Sequence, residues 1–179
     1  ERLTKSARDT IKTPWDVINE IMDGGLGTGE LGVIVAPAGI GKSWTLQALG
    51  AGALKNKKSI VHYTLELNEN YVGLRYDSIF SGVTTSNIKY YKEDVEKRIS
   101  ALGGNLIIKY FPTKAASVQT IGAHLKQIEL SEIKVDVVIV DYADILMPTG
   151  FFKEKRHAIG GIYEDLRGLA GEFQIPIWT

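Results

Sequence analysis

The sequence predicts an α/β fold, a mostly parallel sheet with helices on both of its faces. Three observations carry that expectation. Residues 31–50 read as a buried strand, a tight loop and a helix. Residues 135–142 are a nearly continuous β-branched run ending in an acid, the pattern of a strand covered on both faces. Strand-like and helix-like stretches alternate around them, five strands in all, and such units close right-handed into parallel sheets.

Composition narrows the classes. With 179 residues, 44% of them hydrophobic, the chain can bury one core and not comfortably two. We expect one domain over residues 14–179, preceded at 1–13 by a polar linker or the tail of an upstream region. Cysteine is absent, so disulfides, thiolate metal sites and cysteine nucleophiles are excluded, and the three histidines, His62, His124 and His157, are scattered. The 21 basic and 21 acidic residues cancel, which removes a whole-domain electrostatic argument for nucleic-acid binding. There is no signal-peptide pattern and no apolar run of membrane-spanning length, so a cytoplasmic setting is expected, that of the host if the source is viral.

The elements follow in order. Thr13 and Pro14 suit the start of a short helix with Trp15, Ile18 and Met22 on one side. The glycine-dense turn at 23–29 leads into the first strand, and a helix over about 43–55 follows the loop. Residues 59–65 read as the second strand and 68–82 as an amphipathic helix with Tyr71, Leu74 and Ile79 inward and Arg75 on the surface. A mixed-charge helix at 90–102 ends at Gly103-Gly104, and 105–111 is the third strand, stopped by Pro112. Ser117 can cap a helix over 118–129 that buries Ile121, Leu125 and Ile128. After the fourth strand at 135–142 comes a loop, a helix over 158–172, and a fifth strand at 174–179.

The loop is the most specific signal. Ala36 to Ser43 follows the pattern G-x-x-x-x-G-K-[ST], with alanine at its first position and Gly41-Lys42-Ser43 intact. Consecutive N–H groups near a helix start can cradle a polyphosphate, and glycines let the backbone approach it. Lys42 would bridge the outer phosphates, and the Ser43 hydroxyl would hold magnesium. Ala38, Gly39, Ile40, Gly41, Lys42, Ser43 and Trp44 are therefore the candidate binding segment for ATP, or another nucleoside triphosphate, with Mg²⁺. The bland alternative is a strand-to-helix turn carrying Gly-Lys-Ser by chance.

Two acids end strands beside that loop. Glu66 follows the second strand, where a base for an attacking water would sit, or where a strand-end residue is simply solvated. Asp141 ends the fourth strand and suits a magnesium-side carboxylate. Separately, residues 147–157 place Phe151 and Phe152 beside Lys153, Lys155 and Arg156. Aromatic and basic side chains so interleaved can hold single-stranded DNA, and can equally form a subunit contact.

The residues at Ala36 to Ser43, the stretch Thr64 to Leu67 with Arg75 nine positions after Glu66, the run Val138 to Tyr142, and Pro176 to Thr179 resemble, in order and spacing, the motifs of DnaB-type hexameric replicative helicases. The look is nearest to the versions carried by large tailed phages, and the resemblance covers about residues 20–179. It implies a RecA-like motor that hydrolyses nucleoside triphosphates at the interfaces of a homo-hexamer while single-stranded DNA threads the centre. It assigns phosphate binding to Gly39, Gly41 and Lys42, magnesium to Ser43 and Asp141, and water activation to Glu66. Further strands and an arginine finger of that family would lie beyond Thr179, so the sheet is expected to be truncated after its fifth strand. A primase or helicase loader is an implied partner. A RecA- or clock-type ATPase, and a nucleotide-switched replication module without unwinding activity, remain alternatives.

Overall fold

The computed structural model describes residues 8–179. Residues 1–7, over which part of the linker is expected, lie outside the described residues. The described chain runs β1 (Thr10–Ile11), α1 (Asp16–Ile21), β2 (Leu26–Gly27), β3 (Leu31–Gly32), α2 (Lys42–Lys55), β4 (Ile60–Thr64), α3 (Glu69–Ser81), α4 (Lys92–Ser100), β5 (Leu106–Tyr110), α5 (Val118–Leu130), β6 (Val137–Asp141), α6 (Lys155–Phe173) and β7 (Ile177–Trp178).

Five strands form one parallel sheet in the order β3-β7-β6-β4-β5. The strand formed last in the chain thus sits between the loop strand and the acid-ended strand. The ladder at β3 continues past its named residues, because Thr179 donates to the Gly32 carbonyl at 3.0 Å and Ile34 donates to the Thr179 carbonyl at 2.8 Å. Every residue of β4 and of β6 is buried, as strands covered on both faces must be.

Two cores follow from the two faces. One packs α2 and α3 on Ile60, Val137 and Ile139; the other packs α5 and α6 on Val61, Tyr63, Val138 and Val140. The side-chain alternation of β4 and β6 sorts consecutive residues into these two cores. α5 carries the expected cap, extended to a capping box: Ser117 Oγ accepts from the Thr120 N–H, and Thr120 Oγ1 accepts from the Ser117 N–H.

Several expected elements are corrected. α1 begins two residues after Pro14, and Thr13 Oγ1 accepts from the Trp15 N–H ahead of it. Tyr71, expected inward, is 61% exposed, while Val72 and Tyr76 are buried. Asn68 caps α3 by accepting from the Tyr71 N–H, and the buried face carries Val72 into the apolar core and Tyr76 onto His62. The expected helix at 90–102 divides into a 3₁₀ turn, Ile88–Tyr90, and α4. The helix expected from 158 starts at Lys155, which converts Lys155, Arg156 and His157 from loop into first helical turn. A short antiparallel pair, Thr10 with Gly27 and Ile11 with Leu26, has no signal in hydropathy; Gly25 at φ 116 lets it close, since a Cβ there would collide with the Ile11 carbonyl.

Candidate functional site

The site forms at the carboxyl ends of the parallel strands, where β3 runs into α2. Gly39 and Gly41 both have positive φ, 80° and 103°, and a Cβ built on either would meet nothing within 4 Å. The glycines are therefore demanded by backbone conformation, and the space in front of them is open. Gly41 is the N-cap of the 14-residue α2 and offers no side-chain cap, so the first-turn N–H groups face outward with the positive end of the helix. Ala38, Gly39 and Ile40 are exposed, while Lys42 and Ser43 are half-buried. Lys42 Nζ donates back to the Ala36 carbonyl at 2.7 Å and stands 5.8 Å from the centre of the Tyr142 ring.

Asp141 is 2% exposed, and Ser43 Oγ donates to its Oδ1 at 3.1 Å. The register pairs Thr64 of β4 with Asp141 of β6, and two residues past Thr64 the chain presents Glu66, exposed at the strand end. Burial pushes the Asp141 carboxyl above its ordinary range, against the Ser43 hydrogen bond. The nearby Glu66 charge adds to the rise, and Arg75 and Lys42 oppose it. Loop, hydroxyl, lysine and both acids thus converge on one spot. The Asp141–Tyr142 peptide is cis.

Arg75, which helix periodicity put on the surface but which stands at the motif spacing after Glu66, lies beside the same loop. Its guanidinium carbon lies 4.9 Å from the centre of the Trp44 ring. Beneath these residues is a buried polar layer: His62 is fully buried and its Nδ1 pairs with Tyr76 Oη at 2.9 Å. Burial pushes the His62 imidazole down to about 3, so it is neutral. Gln47 of α2 is also fully buried.

The basic segment is a different place. Phe152 folds back over α6, and a Cβ on Gly161 would come within 2.9 Å of its ring, while Phe151 is 98% exposed. Lys153 and Lys155 are exposed. Arg156 Nε pairs with Glu154 at 2.8 Å, which offsets part of its charge. Arg156 lines an open cleft with Phe152, His157 and Glu164 that shares no residue with the cavity beside Lys42 and Tyr142.

Known proteins resemble this chain in sequence and in fold. The family model for the DnaB-like helicase C-terminal domain matches residues 10–179. The DnaB-like replicative helicase of Enterobacteria phage T4 is 30% identical over 175 residues, which cover 91% of this chain and 37% of that protein. The replicative DNA helicase DnaB of Helicobacter pylori is 20% identical over 159 residues, covering 86% of this chain and 32% of that protein. The chain therefore spans about a third of the length of these curated relatives. Among solved structures, a DnaB-like replicative helicase, described with its interactions with primase, superposes with a TM-score of 0.74 at 18% identity, over 97% of this chain and 45% of that one. A second solved structure, of an ATPase domain, superposes with a TM-score of 0.75 at 19% identity, over 97% of this chain and 64% of that one. The fold is thus that of the DnaB-like ATPase domains.

Proposed function

We propose that this chain, which belongs to the DnaB-like helicase C-terminal domain family, is the nucleoside-triphosphate-hydrolysing motor of a replicative helicase, with residues 14–179 as its ATPase domain. The observation that carries the proposal is the Ser43–Asp141 hydrogen bond at 3.1 Å, formed at the mouth of the Gly39–Gly41 cradle with Lys42 and Glu66 beside it.

The residues fit a magnesium nucleotide. Among the described residues no group of three or more His, Asp or Glu could hold a metal alone. A hydroxyl and one carboxylate do suit magnesium, which takes its other ligands from phosphate and water. Bound there with the nucleotide, magnesium would neutralise charge developing on the transferred phosphoryl group. The chain's own residues do the rest. The first-turn N–H groups of α2 bind phosphate oxygens, and Lys42 leaves the Ala36 carbonyl to bridge the outer phosphates. Ser43 and Asp141 hold the cation, and Glu66 orients a water in line and accepts its proton. An arginine from a neighbouring subunit would add roughly 10³–10⁵ in rate, as in related phosphoryl-transfer enzymes.

The working assembly is a homo-hexamer on single-stranded DNA, with Lys153, Lys155 and Arg156 as contacts to the strand's phosphates. Primase is a proposed partner, by likeness to the relative described with it, and a helicase loader a second. No helix among the described residues is long and apolar enough to cross a membrane; the proposed setting is the cytoplasm, the host's for a phage protein.

The test is ATP hydrolysis with and without single-stranded DNA by the full-length protein carrying this chain, with Lys42→Ala and Glu66→Gln. DNA-stimulated hydrolysis abolished by both substitutions, with nucleotide still bound by Glu66→Gln, supports the motor. Hydrolysis indifferent to DNA would favour a nucleotide-switched module.

A further inference from the structure

Glu66 stands between two neighbours that are held in opposite cores. Leu65 is fully buried among the side chains of α5 and α6, and Leu67 packs against the core of α2 and α3, while Glu66 itself is exposed. The backbone on either side of Glu66 is tied as well. Before it, the Leu65 N–H donates to the Asp141 carbonyl at 3.0 Å, and the Leu65 carbonyl accepts from Thr113 Oγ1 at 3.3 Å. After it, Thr64 Oγ1 donates to the Leu67 carbonyl at 2.7 Å and accepts from the Leu67 N–H at 3.2 Å.

Thr64 is the centre of this bracket. It is the last residue of β4, 0% exposed and paired in register with Asp141, and its own carbonyl accepts from the Phe111 N–H at 3.0 Å. A single hydroxyl acts as donor and as acceptor toward the same residue, which closes a tight loop from 64 to 67 with Glu66 inside it. Valine has the shape of threonine and neither of these functions, whereas serine keeps both. The loop is thus built on the rigid end of a central strand.

We propose that Thr64, assisted by Thr113, is a positioning residue for Glu66. The proposal rests on the nucleotide-hydrolysis function above, in which Glu66 orients the attacking water. A general base must stay within hydrogen-bond reach of that water, and a misplacement of about 1 Å can cost on the order of 10² in rate. Each threonine acts through the peptide units that flank Glu66 and not on the nucleotide.

The experiment uses the full-length protein and the variants Thr64→Val, Thr64→Ser, Thr113→Val and Glu66→Gln. Single-turnover hydrolysis reads the chemical step, and equilibrium binding of ATP reads affinity separately. We expect Thr64→Val to slow the chemical step about tenfold or more, Thr113→Val to slow it about threefold, and both to bind ATP within about threefold of the parent. Thr64→Ser, which keeps both hydrogen bonds, should recover most of the loss. Thr113 is exposed, so its variant reads out even where Thr64→Val fails to fold. An unchanged chemical step in Thr64→Val or in Thr113→Val, a loss confined to ATP affinity, or a Thr64→Ser variant as slow as Thr64→Val would each overturn the proposal. Undiminished hydrolysis by Glu66→Gln would instead overturn the role of Glu66 on which it rests.

Discussion

The Ser43 hydroxyl donates to the Asp141 carboxylate at 3.1 Å, joining residues 98 positions apart at the mouth of the glycine cradle. Because Asp141 is buried and its charged form is disfavoured there, the two sides of this bond respond differently to substitution. Ser43→Ala leaves the carboxylate without this donor and should destabilise the nucleotide-free protein by about 1–2 kcal/mol at neutral pH. Asp141→Asn still accepts from Ser43 but carries no buried charge. The cost of that charge grows as pH rises through the carboxylate range and is complete at pH 7, so the variant should melt above the parent there. Both should lose magnesium-dependent hydrolysis, by roughly 10²-fold or more. Thermal melts without nucleotide, beside hydrolysis assays, check the opposite signs.

His62 predicts a pH dependence of stability. Its folded value of about 3 lies below the usual 6.5, so between these values the unfolded chain binds the extra proton. Stability is complete above pH 6.5 and should fall as pH drops through that window, by up to about 1.4 kcal/mol per unit from this residue. His62→Leu should flatten the slope, at a cost near 1 kcal/mol at pH 7.5 for the lost Tyr76 bond. Urea unfolding at pH 7.5 and 5.5 measures both effects; an equal slope in the variant would count against burial as the cause.

Gly50 sets how closely α2 approaches the sheet. A Cβ there would run into Tyr76 Oη, with Ile60 and Ile139 Cδ1 each 2.8 Å away. Helix propensity favours Gly50→Ala by about 1 kcal/mol. Tyr76 is held by His62 and the two isoleucines are buried, so overpacking of about 1–3 kcal/mol should win, or at least cancel that gain. Denaturant midpoints of the two proteins decide; a clear stabilisation would mean that the helix can lift without loss.

The basic segment predicts unequal contributions to single-stranded DNA binding. Lys153 and Lys155 are exposed, whereas Arg156 pairs with Glu154. Each lysine that neutralises a phosphate should contribute about 0.7 to the slope of log K against log salt. Lys153→Ala with Lys155→Ala should therefore lower the slope by about 1.4. Arg156→Ala should lower it less, because Glu154 already offsets part of its charge. Salt titrations of the full-length protein on an oligonucleotide test this; an unchanged slope in the double variant would leave the segment to a protein contact.

The local elements of the site were legible in the amino-acid order. The strand, loop and helix around Lys42, the acid-ended run before Tyr142, and the capped helix over α5 are each written in consecutive residues, where hydropathy period, glycine and cap chemistry act within a few positions. That Glu66 and Asp141 end strands beside the loop also followed from their local patterns. What the order of residues left open is the strand order and the way the helices turn toward one another. The insertion of β7 between β3 and β6 depends on how crossovers pack, and no local period records it. Periodicity alone put Tyr71 inward and Arg75 on the surface. In the fold α3 instead buries Val72 and Tyr76 against α2 and the sheet, with Tyr76 Oη on the fully buried His62. On the same helix Arg75 lies over the Trp44 ring. The glycine loop and its helix were thus determined by sequence, whereas the company of the acids beside them was decided by tertiary packing, since charges and rings far apart in the chain interact only once the helices that bear them have a fixed phase.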